Sequence, residues 1–180
     1  MIARRTTGGF SLIELFVALA IVSCLAGLLM PVVSNLRKRA EVAACASNLR
    51  QIGVAGLLYS ADNNQKLPMI EPWPSQPLYS PEDGVKNILE VLGPYGLTRQ
   101  ALICRSDIAG PNYNATEGSS YEWCPIANGQ NIQSAKLGWG NMTEGISLSK
   151  LLVAFDYSNI HGDRSNVLFG DGHVAGATGN

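Results

Sequence analysis

The chain has 180 residues, 46% of them hydrophobic and 15% charged, and 13 basic against 14 acidic side chains leave a net charge of −1. That length suits one domain plus an appendage, and so small a charge provides no electrostatic footprint for nucleic acid. The four cysteines, Cys24, Cys45, Cys104 and Cys124, include no C-x-x-C pair, which excludes the common short zinc and redox motifs.

Residues 1–9 read MIARRTTGG, with Arg4 and Arg5 as the charged side chains. The stretch that follows, FSLIELFVALAIVSCLAGLLMPVV, carries a single charge, Glu14. As a helix it is about 36 Å long, enough for a bilayer core of about 30 Å. A secretory signal peptide has an apolar core of only about 7–15 residues; this run is longer and holds a carboxylate near its start. Ile21-Val22-Ser23-Cys24 resembles a lipobox, but Leu25 to Val33 stay apolar where a lipoprotein turns polar. A carboxylate at membrane depth costs about 2.5–3.5 kcal/mol on the lenient insertion scale, and such residues are usually paired and functional. The alternative is a Glu14 that snorkels to the nearer face. Arg37, Lys38 and Arg39 make the second flank basic too, so the positive-inside rule assigns no orientation.

Beyond Val33 the pattern turns amphipathic. Val42, Cys45, Leu49, Ile52, Gly56 and Tyr59 fall at helical spacing on one face, with Arg39, Glu41, Ser47 and Arg50 opposite. The spacing predicts one helix from Phe10 to Asn63, roughly 80 Å long, disturbed at Pro31. Its first half suits lipid or a filament core, and its second half suits packing on a domain of the same chain. Gly53 and Gly56 permit close approach on that face. Cys45 reads as a buried free thiol, and Cys24 as an apolar filler.

Five prolines between residues 66 and 81 predict an extended connector. Ser80-Pro81-Glu82-Asp83 reads as a helix start, and Val85, Ile88, Leu89 and Leu92 as the apolar face of a helix of about 10 residues ended by Gly93. Ala101–Ile103 and Ser120–Ile126 are strand candidates. Cys104 and Cys124 are either a disulfide, worth about 3 kcal/mol for a loop of about 20 residues, or two free thiols. Residues 127–149 read as surface loop. Leu151–Tyr157 reads as a buried strand, and 166–169 and 173–175 as a hairpin turning on Gly170-Asp171-Gly172.

Several of these segments resemble one family. Gly8-Gly9-Phe10-Ser11-Leu12-Ile13-Glu14 is similar to the signature of type IV pilins and type II secretion pseudopilins: a short basic leader, Gly, an N-methylated Phe, then Glu. Pro31 falls where many such subunits kink. Cys45-Ala46-Ser47-Asn48-Leu49-Arg50-Gln51-Ile52-Gly53, with Tyr59, Asp62-Asn63 and Leu67-Pro68, resembles a segment of bacterial pseudopilin-like proteins. Cys104-Arg105-Ser106-Asp107 resembles their C-P-S-D element, with Arg105 in place of the proline. His161, nine residues, then Asp171-Gly172 match the C-terminal element named for that spacing, with Asp156 and Asn166–Val174 in its usual surroundings.

The resemblance implies processing by a prepilin peptidase between Gly9 and Phe10. It also implies assembly through Glu14, which would meet the new N-terminal amine of a neighbouring subunit. The expected architecture is α+β: a long N-terminal helix, transmembrane in its first half, packed on a small C-terminal antiparallel sheet with a short extra helix. Its parts would be a leader at 1–9, a membrane or filament-core helix at 10–35, an amphipathic continuation at 36–64 and a globular domain at 65–180. The expected place is a bacterial inner membrane, crossed once, with the globular domain periplasmic. Expected partners are sibling pseudopilins, the peptidase, the membrane and an inner-membrane assembly platform.

Asp156, His161, Asp163, Asp171 and His173 crowd the C-terminal region. One reading is a structural corner of His161, Asp171 and Gly172, with His161 bonded across to the hairpin. Some pseudopilins bind calcium in C-terminal loops, which makes Asp156, Asp163 and Asp171 a candidate calcium set. No nucleophile–base pattern, phosphate loop or H-E-x-x-H appears, so an enzyme is not expected. The leading expectation is a structural subunit of a secretion or pilus-like filament. The alternative is a membrane-tethered binding protein that does not polymerise, with Trp73, Trp123 and Trp139 as stacking candidates.

Overall fold

A computed structural model describes residues 11–139, 142–157 and 160–178. The leader and the Gly9–Phe10 junction lie outside these residues. The first element is the expected long helix, α1, Leu12–Asp62. It starts at Ser11, whose carbonyl accepts the Glu14 and Leu15 amides at 3.0 and 3.2 Å. The Glu14 carboxylate in turn accepts the Ser11 N–H at 3.0 Å, the side-chain half of a capping box. α1 contributes to two compact units that divide between Ala40 and Glu41.

In the first unit every residue from 11 to 40 is exposed, including Leu12, Phe16, Leu28 and Met30. The side chains of Ser23 and Ser34 donate back to the Leu19 and Pro31 carbonyls at 2.8 and 3.0 Å, so their hydroxyls are satisfied within the helix. Pro31 lies inside α1, and the helix continues through it. This stretch makes α1 long and apolar enough to cross a membrane.

The second unit is α+β. The four-stranded sheet comprises β1 (Tyr121–Trp123), β4 (Leu152–Asp156), β5 (Arg164–Phe169) and β6 (Val174–Thr178), antiparallel in the order β1-β4-β5-β6. The second part of α1 packs on it. Cys45, Leu49, Ile52 and Gly56 are buried as the spacing predicts, Val42 and Tyr59 of the same stripe are half-buried, and Ala55 and Ser60 are buried beside them. Gly53 is needed for that approach: a Cβ there would lie 2.8 Å from Leu168 Cδ1 of β5. Trp123, Leu92, Leu102 and Leu151 fill the core beside it.

The proline-rich connector is pinned rather than loose. Glu71 accepts the amides of Trp73, Leu78 and Tyr79 at 3.3, 2.9 and 3.1 Å. Asn128 bonds both backbone groups of Ile70 and takes the Trp123 indole N–H at 2.8 Å.

Several expected elements differ. The helix started by Pro81 is a 3₁₀ turn, Pro81–Asp83, stopped by Gly84 at φ 66°. The α-helix proper, α2 (Ile88–Leu92), begins later because Asn87 Oδ1 accepts the Glu90 N–H at 3.0 Å. Residues 99–102 form a 3₁₀ turn instead of a strand, with Thr98 capping Ala101 at 3.4 Å. Two short helices follow Cys104: α3 (Arg105–Ile108) and α4 (Tyr113–Glu117). β1 ends at Trp123 because Pro125 opens a 3₁₀ turn. The expected loop at 127–149 contains a hairpin, β2 (Lys136–Trp139) with β3 (Met142–Gly145). The Gly170-Asp171-Gly172 turn closes the β5–β6 hairpin, with Gly172 at φ 87° as a left-handed turn position requires. β6 begins at Val174, which leaves His173 in the turn.

Candidate functional site

The chemistry-bearing side chains of the second unit converge where α1, the Cys104 segment and β4–β5 meet. Cys45 reaches this seam from the buried stripe of α1. Cys104 reaches it from a segment held on both sides. Asn48 Nδ2 donates to the Ile103 carbonyl at 3.1 Å and to the Tyr121 hydroxyl at 3.0 Å, tying that segment to α1 and β1. Ser120 Oγ accepts the Cys104 N–H at 2.9 Å and donates to Asp107 at 2.7 Å. Asp107 is fully buried, and its carboxylate also accepts the amides of Tyr113 and Asn114 at 2.8 Å each. A buried carboxylate with three donors is a satisfied structural node.

Cys45 and Cys104 form a disulfide with Cα atoms 5.6 Å apart, across 59 positions of sequence. This corrects two expectations. Cys104 does not pair with Cys124, and Cys45 is not a free thiol. Cys124 is buried and free, and burial pushes its thiol above the ordinary range. The reason lies in the packing: the α1 stripe carries Cys45 to the Cys104 segment, while Cys124 follows β1 into the 3₁₀ turn at Pro125. In the chain-entropy model a loop of this size is worth about 4 kcal/mol.

His161 packs on the crosslink. Its Nε2 lies 3.5 Å from Cys104 Sγ and 3.4 Å from Asp156 Oδ2. The two side chains are 2% and 1% exposed, so this pair is shielded from water. Asp156 ends β4, and its Oδ2 accepts the backbone N–H and the Nδ2 of Asn166 at 2.9 and 2.8 Å. Asn166 also donates to the Val42 carbonyl on α1 at 3.3 Å. Asp156 Oδ1 is buried with no hydrogen-bond partner. Burial raises the Asp156 carboxyl above the ordinary carboxylate range, only partly offset by the Asn166 donors and by His161.

The expected corner of His161, Asp171 and Gly172 therefore divides. His161 turns to Cys104 and Asp156. Asp171 stays in the hairpin turn, where its Oδ1 accepts the His173 N–H at 3.1 Å and lies 2.5 Å from His173 Nδ1. Slight burial acts upward on the Asp171 carboxyl, but the His173 donors outweigh it and hold it below the ordinary range. The expected calcium set is not gathered either. Asp156 is enclosed, Asp163 and Asp171 are exposed, and β5 separates Asp156 from Asp171. Among the described residues, the side chains grouped as metal ligands are Cys45, Cys104 and His161, whose ligand atoms lie within 4.8 Å of one another.

Of the tryptophans offered as stacking platforms, Trp123 is core and its indole N–H is used by Asn128. Trp73 is half-buried against the core, and the side chain of Trp139 lies outside the described set. Sequence reasoning missed Asn166 and Asn48 as the polar clamps of the site. For Cys45 the signal was present: it occupies the one face of α1 that has to be covered.

No family model, curated protein or solved structure matches the chain.

Proposed function

We propose that the protein is a pseudopilin-like structural subunit, cut after Gly9 and built into a membrane-anchored filament through α1. The observation that carries this reading is the division of α1. From Leu12 to Val33 the helix is apolar and exposed all round, with Glu14 as its only carboxylate. From Cys45 onward the same helix is buried on one stripe by its own domain. A helix apolar on every side is covered by lipid or by other helices. The lone carboxylate near its start is then costly in apolar surroundings unless it finds a cation. Cleavage after Gly9 would create that cation, the amine of Phe10. Glu14 of one subunit would pair with the Phe10 amine of the next, neutralising both charges and setting the axial register.

The test is Glu14→Ala in the full chain, co-expressed with its processing peptidase. N-terminal sequencing should still return Phe10, while filaments seen by electron microscopy should disappear. Filaments of normal abundance from this variant would remove Glu14 from assembly. A mature chain that still begins at Met1 would remove the processing step.

A further inference from the structure

We propose that the dithiol form of this protein binds one zinc ion through Cys45 Sγ, Cys104 Sγ, His161 Nε2 and Asp156 Oδ1, and that the Cys45–Cys104 disulfide closes that site. The proposal does not depend on the filament reading.

Three of the four ligand atoms are already gathered: those of Cys45, Cys104 and His161 lie within 4.8 Å of one another. With zinc–sulfur bonds of about 2.3 Å and zinc–nitrogen or –oxygen bonds of about 2.0–2.1 Å, tetrahedral angles separate S from N by about 3.5 Å and N from O by about 3.3 Å. Cys104 Sγ to His161 Nε2 is 3.5 Å, and His161 Nε2 lies 3.4 Å from Asp156 Oδ2, the other oxygen of the carboxylate whose Oδ1 would ligate. Two ligands have to move: Asp156 has to bring Oδ1 to the metal, and Cys45 has to go from bonded contact with Cys104 Sγ to the roughly 3.8 Å that two thiolates keep on one zinc. For Cys45 a side-chain rotation supplies that, since the Cα atoms of the two cysteines are already 5.6 Å apart.

A second, independent observation points to a ligand. Asp156 Oδ1 is buried and without a partner, while Oδ2 of the same carboxylate takes both Asn166 donors. A buried oxygen left unpaired is costly, and a cation would satisfy it. Two thiolates, an imidazole and a carboxylate also select zinc over calcium or magnesium, which prefer all-oxygen shells. Asn166 would hold Asp156 in place as outer partners do in metal sites.

The redox step balances. A dithiol reductant delivers two electrons and two protons, the Cys45–Cys104 bond breaks, and the reductant closes its own disulfide. Zinc then displaces the two thiol protons to solvent. Both sulfurs are buried, so exchange proceeds through local opening.

The experiment uses the full chain in detergent micelles, with Cys24→Ser and Cys124→Ser to remove the two other thiols. Oxidised and reduced samples are equilibrated with zinc chloride, desalted and assayed for metal. Cobalt chloride serves as the spectroscopic probe, and near-ultraviolet circular dichroism reports folding. The reduced chain should retain one zinc per chain and show thiolate-to-cobalt charge-transfer absorption; the oxidised chain should retain none. His161→Ala and Asp156→Asn should keep the disulfide when oxidised and weaken zinc binding of the reduced form about tenfold or more. A reduced chain that retains no zinc, or stays unfolded with zinc present, overturns the proposal. So does equal retention by the oxidised chain, or by the His161→Ala variant.

Discussion

The molecule contains two histidine–aspartate pairs that look alike in sequence and differ in every physical respect. His173 and Asp171 are two residues apart, both exposed, and meet at 2.5 Å in a hairpin turn. His161 and Asp156 are five apart, almost fully enclosed, and stand 3.4 Å apart beside a disulfide. The exposed pair belongs to its own turn, and water screens it. The buried pair is held from three directions: α1 through Cys45 and Val42, β5 through Asn166, and the Cys104 segment. An exposed pair contributes about 0–1 kcal/mol, whereas removing one partner of a buried set leaves the other uncompensated. Close contact between charged groups is therefore a poor guide to which pair matters.

The largest test of this contrast is removal of the crosslink beside the buried pair. Cys45→Ala with Cys104→Ala should lower stability by about 4 kcal/mol, measured by urea unfolding of the full chain in detergent. Hydrogen exchange should speed up at Asn166 and remain unchanged at His173. Unaltered stability would mean that the pair does not depend on the disulfide.

A smaller effect concerns pH. The unfolded Asp156 carboxyl ionises near its ordinary value of about 3.9, and burial raises it in the folded state. Between the two values the folded chain still holds a proton that the unfolded chain has released. Stability therefore falls as pH rises through that window, by at most about 1.4 kcal/mol per unit, and levels off above the folded value. Asp156→Asn should lack this slope, with His161 facing the site in both proteins. Parallel stability profiles from pH 4 to 7 would refute a raised Asp156.

The smallest effect belongs to the exposed pair. Asp171→Ala should cost less than about 1 kcal/mol, read from the same unfolding curves. A loss as large as that of the cysteine double variant would erase the distinction between the pairs.

Legibility in the sequence follows the range of the interactions. α1 could be read because a long apolar run passes without a break into helical spacing from Val42 to Tyr59, and many weak preferences add. The β5–β6 hairpin could be read because Gly170-Asp171-Gly172 is a local turn signal. The β2–β3 hairpin was hidden, since residues 136–145 lack strong alternation and their pairing is with each other. The start of α2 moved because a left-handed Gly84 interrupts the apolar spacing. The polar clamps, Asn48 and Asn166, carry no local mark at all; each works by reaching another element.

By itself the sequence determined the long helix, its apolar first half and buried stripe, and the final hairpin, because periodicity and turn chemistry act between neighbours along the chain. Only the tertiary structure decided that Cys45 rather than Cys124 meets Cys104. It alone also decided that His161 faces that disulfide and Asp156, leaving Asp171 to His173. Those choices depend on which buried surfaces the fold brings together, and at the seam of α1 with the sheet the partners come from positions 45, 104, 156, 161 and 166.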